Sequence, residues 1–486
     1  MNSIRTILVL LLLAAKLVIG QEIPGSTAKA DVNSLQAAVR AHPDNVGLKL
    51  RLTQAILLAS KEESHPDKKA AAIAEVQALW KACLASNPAA FIPLRALARD
   101  AYYARDMSAA IDFGRRALAS DPTDSEMATV VVKALVRSQR EAEAIDLLMD
   151  NFRQQGMPAF AQSQGLISAL VTNSKIRDLL EKGLVALVAE RPNATLIRLA
   201  YAGYLSEVGR FQDAWAEFHR AEKEGLCDTG SGGRHPFGSL LADKLSEPSF
   251  PGAFAGVDLQ GLEKQVEAHP NHAGVVVRLA RRYELPATEK LDPMAAVVAI
   301  DESARRVIEQ ALATYGQALK HNAECWPAQF RSGELLLLLD RPKEAAPLFE
   351  RAARSFPVFL PAWLELAIAK ARSGDMPGAG AALAEFALRN DSIKGTTQFL
   401  ETGGPKSAAD FKAIAKALTE AAASRPSSLT LPAHLSIVQL RAGDIADAKA
   451  SALLAERNGL IGRNALPHPA LLEAFGIKVP TTAADR

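Results

Sequence analysis

Cysteine is nearly missing from this chain: 486 residues contain three, Cys83, Cys227 and Cys325. Thiols so few and so scattered exclude a disulfide framework and a cysteine-built metal centre. They read as inert buried thiols, with one disulfide left open by an oxidising compartment. Aromatic residues make up only 6%, and no run alternates Val, Thr and Tyr with period two. That pattern argues against a β-rich core. Charge is balanced, with a formal net of +2, so nothing requires the concentrated basic surface of a nucleic-acid protein.

Catalytic signatures are missing as well. The chain has no His-Glu-x-x-His, no Cys-x-x-Cys and no Gly-x-Ser-x-Gly. Five histidines, His42, His65, His235, His269 and His468, each precede a proline. That placement belongs to surface turns at helix boundaries rather than to a metal site. The glycine-rich loop Gly230 to His235 lacks the Lys-Ser/Thr ending of a phosphate-cradling loop and reads as a linker. No catalytic, metal or cofactor-binding residue is expected, and the chain is expected not to be an enzyme.

Strong helix formers are abundant: Ala, Leu, Glu, Arg and Lys dominate. The N-terminus carries Arg5, an apolar run from Ile7 to Ala15, and Gly20 before Gln21. This is the layout of a secretory signal peptide, with cleavage expected after Gly20 and a periplasmic or secreted product. Lys16 interrupts the layout, so an uncleaved N-terminal anchor is the alternative. No later stretch reaches membrane-spanning length, and the five leucines from Leu335 to Leu339 read as core packing.

Prolines mark a repeat. Pro88 and Pro122, Pro158 and Pro192, and Pro327 and Pro361 are each separated by 34 residues. Each interval holds enough apolar periodicity for two helices. One unit carries Ala110, Ile111, Ala117 and Leu118. Another carries Gly209, Phe211, Ala214, Trp215, Phe218 and Ala221. A third has Gly333, Ala345, Phe349 and Ala352, and a fourth has Trp363, Leu366, Ala367 and Gly374. Taken as a set, these units resemble the tetratricopeptide repeat, over about two thirds of the chain. No single unit has the whole pattern. The resemblance implies an all-α solenoid of helical hairpins in a right-handed superhelix, with units starting near Phe91, Ser125, Ala161, Thr195, Trp326, Leu360 and Thr430. It also implies that the first helix of each unit lines a concave groove.

A longer period is visible too. Ala41-His42-Pro43 with Gly47, Arg51 and Leu52 recurs as Ala268-His269-Pro270 with Gly274, Arg278 and Leu279, 227 residues later. In both copies a proline-bearing linker is expected next, Lys61 to Lys69 and Glu284 to Pro293. The chain therefore reads as a signal peptide (1–20), a flexible lead (21–33), one array (34–226), a Gly/Pro-rich linker (227–257), a second array (258–478) and a disordered tail (479–486).

Arg95 and Arg99, and Lys133 and Arg137, form two i, i+4 basic pairs on consecutive first helices. Tyr102 and Tyr103 lie one turn beyond the first pair. This resembles the strip with which some tetratricopeptide proteins grip acidic peptide tails, although the Asn residues of that clamp are not matched. The alternative is an ordinary solvated charged face. In the second array the groove positions Phe330, Glu334, Leu337, Leu364 and Ile368 are mostly apolar. The expected function is an exported scaffold binding a protein or peptide segment, acidic in chemistry, in envelope assembly, secretion or polysaccharide export. No nucleic acid is expected as a partner, and the membrane only through an uncleaved anchor. The alternative is a glycan-active or sugar-binding protein on a helical-repeat frame, which would show exposed Trp or Tyr beside two carboxylates.

Overall fold

The computed structural model describes residues 28–121, 124–155, 167, 170–171, 173–225, 259–288, 300–357, 359–390, 393–402, 404–426, 428 and 430–458. The N-terminal apolar run, the 227–257 linker and the tail from 479 lie outside them. Every regular element among the described residues is an α-helix, and none of these helices is long and apolar enough to cross a membrane. The contacts gather the chain into two compact units that interleave along the sequence.

The first unit takes residues 1–139, 383–400 and 405–486. It holds α1 (Ala28–Ala41), α2 (Val46–Glu62), α3 (Pro66–Ser86), α4 (Phe91–Tyr103), α5 (Met107–Ser120) and α6 (Ser125–Arg137). From the C-terminal part it takes α19 (Ala408–Ser424), α20 (Thr430–Ala442) and α21 (Ile445–Asn458), with most of α18 (Lys394–Thr402). Here α21 packs on α2, so helices from near the two ends of the chain share one unit.

The second unit takes residues 140–382 and 401–404. It holds α7 (Glu141–Gln155), α8 (Ser174–Glu190), α9 (Thr195–Glu207), α10 (Phe211–Lys223), α11 (Leu259–Ala268), α12 (Ala273–Thr288) and α13 (Glu302–His321). It continues with α14 (Trp326–Leu338), α15 (Pro342–Ser355), α16 (Leu360–Arg372) and the first half of α17 (Met376–Leu388). Helices α10 and α12, which flank the 227–257 segment, pack on each other directly. The buried Asn322 side chain donates to the backbone carbonyl of Asn193 at 3.2 Å and also to that of Glu224.

First helices start at Phe91, Ser125, Thr195, Trp326, Leu360 and Thr430, the positions the repeat register predicts; the expected start at Ala161 lies outside the described residues. Inside each hairpin the chain reverses through one residue with positive φ. That residue is Arg105, Gln139, Gly209, Asp340, Gly374 or Gly443. The N–H of the following residue closes the turn onto the carbonyl five residues back, as from Asp106 to Ala101 and from Asp375 to Lys370, both 2.9 Å. Second helices then start on a polar anchor. Asp106 accepts from the Ala109 N–H at 3.0 Å, and Arg140 and Arg341 fork onto Glu143 and Glu344 at 2.7 Å.

Hairpins close because small residues oppose large ones. A Cβ on Gly333 would lie 2.7 Å from the Phe349 ring, which is fully buried between the helices. In the second unit Ala273, Val276 and Ala280 of α12 pack with Ile308, Ala311 and Tyr315 of α13. In the first unit Val46, Leu50 and Ile56 of α2 pack with Val76 and Trp80 of α3. Two expectations change. The proline-bearing linkers are largely helical at their start, since α2 runs to Glu62 and α12 to Thr288. Trp215, one of the large apolar residues of the repeat pattern and so expected in the core, is only half-buried, stacked on Phe218 and edge-on to His219.

Candidate functional site

In the first unit α4 and α6 are consecutive first helices in contact, and the predicted strip residues Arg95, Arg99, Tyr102, Tyr103, Lys133 and Arg137 all sit on them. Arg95 forms an ion pair through Nε with the Asp124 carboxylate at 2.9 Å and also pairs with Glu126. Arg99, almost fully buried, pairs with the other Glu126 oxygen at 3.1 Å. Asp124 meanwhile caps α6 by accepting from the Met127 N–H at 3.0 Å. Burial pushes its carboxyl above the usual range, and Arg95 opposes that rise. Arg95 and Arg99 are thus tied to acidic partners in the next unit, which the sequence reading did not consider.

Lys133 and Arg137 differ. No carboxylate pairs with either among the described residues. Lys133 is half-buried and Arg137 exposed. The Arg137 guanidinium lies over the Tyr102 ring, 4.5 Å from its centroid, a contact that attracts cation to π-face. Tyr102 is buried and meets Tyr103 edge-on at 5.5 Å, and Tyr103 is 46% exposed. Below them Asp100 accepts from Gln77 at 3.2 Å, and burial pushes its carboxyl up to about 6. The strip therefore has a neutralised end at Arg95 and Arg99 and an open basic-aromatic end at Lys133, Arg137 and the two tyrosines.

The second unit carries charge where apolar residues were expected. Phe330, Leu337 and Ile368 are packed into the core, and Leu364 is half-buried. Between α12 and α14 the fully buried Glu284 binds the Arg331 guanidinium and accepts from the Tyr315 hydroxyl at 3.0 Å. Arg331 also reaches Glu334 at 2.6 Å. On α16, burial chiefly, with Glu334 adding to it, pushes Glu365 up to about 7, against the pull of Arg372. A sequence signal for this network existed: Arg331, Glu334 and Glu365 interrupt otherwise apolar first helices. Among the described residues the exposed large aromatic is Tyr103, and no group of three His, Cys, Asp or Glu side chains could hold a metal ion.

Helices paired into hairpins, reversed through one left-handed residue and joined by small-on-large contacts, define a helical-repeat protein. Residues 299–358 and 340–392 match the tetratricopeptide repeat family model, so the chain carries tetratricopeptide repeats. No curated protein matches it. Similar solved structures include YrrB, a tetratricopeptide protein with an unusual peptide-binding site, at 16% identity, covering 45% of this chain and all of that one, with a TM-score of 0.26. The yeast Tom70 structure is 12% identical over 88% of this chain and 99% of that one, with a TM-score of 0.24. The TPR2AB domain of yeast Sti1 in its complex with pHSP90 is 13% identical over 72% and 97%, with a TM-score of 0.19. The family assignment rests on the matched residues and the hairpin geometry.

Proposed function

We propose that this chain is an exported, non-catalytic scaffold that binds an acidic protein segment on the α4–α6 face. The observation that carries the reading is the pair Lys133 and Arg137. They lie i, i+4 on one helix face without a carboxylate partner among the described residues, and Arg137 lies over Tyr102, which meets the exposed Tyr103. Charge-assisted hydrogen bonds from two cations would hold a carboxylate strongly. A tyrosine platform adds contact area at low entropic cost. Arg95 and Arg99 position this face by fixing α4 to α6.

Export follows from the N-terminal layout, with a mature start at Gln21 and a place in envelope assembly, secretion or polysaccharide export. Mass measurement of the exported protein tests the first part, and a membrane-held intact N-terminus would contradict it. For the binding, a photo-crosslinker at position 103 is introduced into wild type and into Lys133→Glu with Arg137→Glu. The reading expects an adduct from an acidic segment that the double variant loses while its helix content is unchanged. An identical adduct in both proteins would contradict it.

A further inference from the structure

The second unit holds a depression that the repeat grooves do not include. It opens where the end of α7 and the starts of α9 and α14 meet, and it is lined by Phe152, Arg153, Arg191, Ile197, Glu324 and Trp326, among others. Three independent features converge there.

Trp326 is the first residue of α14 and only 7% exposed. Its indole Nε1 is buried and has no acceptor among the described residues. A buried donor without a partner is costly, and in native proteins it is usually satisfied by a protein group, an ordered water or a bound molecule. The comparable indole of Trp363 has its acceptor, the Pro357 carbonyl at 2.8 Å. Next, α9 starts at the depression with Ala194 as its N-cap, and no side chain caps its first N–H groups. Uncapped first-turn N–H groups and the helix dipole favour an anion. Finally, Arg191 has only a loose partner, Glu324 at 3.6 Å, which is 45% exposed and free to turn outward. Arg153 is held by Asp150 at 2.5 Å and Glu190 at 3.2 Å, so it adds a wall rather than free charge.

We propose that this depression binds a carboxylate carried on a short apolar stem. The Trp326 indole N–H and the first turn of α9 receive the oxygens, Arg191 exchanges Glu324 for the incoming group, and Ala194 and Pro357, the partly exposed apolar residues of the lining, meet the stem. The binding is separate from the α4–α6 face and stands without it. Small organic acids and the free C-terminus of a peptide share this chemistry.

The test is a titration of the full chain, labelled with 15N-tryptophan, with isovalerate, N-acetylvaline and an acetylated tripeptide ending in valine. N-acetylvalinamide and inorganic phosphate serve as controls. The chain has four tryptophans, and Trp326→Phe assigns the relevant indole signal. The proposal expects that signal to move and saturate with at least one carboxylate and to stay still with the amide. Arg191→Gln, at a partly exposed position, should weaken binding at least tenfold while the other three indole signals keep their places, which shows that the fold is intact. A response to the small acids points to a metabolite, and a response to the tripeptide alone points to a chain terminus. Either supports the site. An indole signal that ignores every carboxylate, moves equally with the amide, answers only to phosphate, or titrates unchanged in Arg191→Gln would overturn it.

Discussion

The α4–α6 face of the first unit and the α12–α14–α16 face of the second use the same device and end differently. In each, an arginine on one first helix is tied to a carboxylate on a neighbouring first helix. Arg99 meets Glu126, which is about one-third exposed, whereas Arg331 meets Glu284, which is fully buried and also held by Tyr315. What remains on the first face is cationic, Lys133 and Arg137. What remains on the second is Glu365, held toward its neutral form by burial and by Glu334. A shared way of joining helices thus leaves opposite chemistry beside it.

The difference in burial makes the largest prediction. Glu284→Ala should cost about 3–5 kcal/mol, because it removes a fully buried carboxylate that both the Arg331 guanidinium and the Tyr315 hydroxyl bind. Glu126→Ala should cost less, about 1–2 kcal/mol, because water reaches the Glu126 carboxylate even though Arg99 beside it is nearly buried. Urea denaturation measures both, and equal losses would remove the distinction. Phe349→Ala should also cost about 3–5 kcal/mol, and the half-buried Trp215 clearly less.

Acidity sharpens the comparison from two sides. The carboxyl of Glu365 rises from 4.5 to about 7 in the fold. The unfolded chain then binds fewer protons than the folded one between those values, so stability falls as pH climbs through that window. Glu365→Gln should remove the loss, a relative gain on the order of 3 kcal/mol at pH 8 over pH 4. In the first unit the opposite sign holds. His434 is fully buried, donates from Nε2 to the Asn390 carbonyl at 3.1 Å and accepts at Nδ1 from Thr396 at 2.6 Å. Its imidazole is lowered from 6.5 to about 4, so its neutral form stabilises at neutral pH and that contribution is lost as pH falls through the window. His434→Gln should flatten the acid limb and leave the alkaline one unchanged.

A smaller effect tests the repeat itself. Gln139 and Asp340 occupy the left-handed turn position that Gly209, Gly374 and Gly443 fill elsewhere. Gln139→Gly and Asp340→Gly should each raise stability by up to about 1 kcal/mol, since a side chain is strained at positive φ. A loss at either position would mean that the side chain contributes more than the backbone strain costs.

The helix starts were legible because proline spacing and the small-large pattern are properties of one hairpin. Phe349 opposite Gly333 follows from that pattern alone. The partners of the charged residues were not legible, because they join different hairpins. Glu284 and Arg331 are far apart in the chain and meet only through α13, whose Tyr315 completes their site. Glu126 was within reach: it lies at the second position of α6, two turns before Lys133, and could have been paired with Arg99 by register. The apolar reading of the second face failed for a physical reason. Its apolar side chains are the ones that pack inward, so the exposed chemistry falls to the charged minority.

The most direct test of the opposed faces is a calorimetric titration of a defined acidic peptide, six Asp residues with a capped N-terminus, at two ionic strengths. The account predicts salt-sensitive binding that Lys133→Glu with Arg137→Glu weakens at least tenfold, while Glu365→Gln leaves it unchanged. Binding that survives the double variant, or that responds to Glu365→Gln instead, would contradict it.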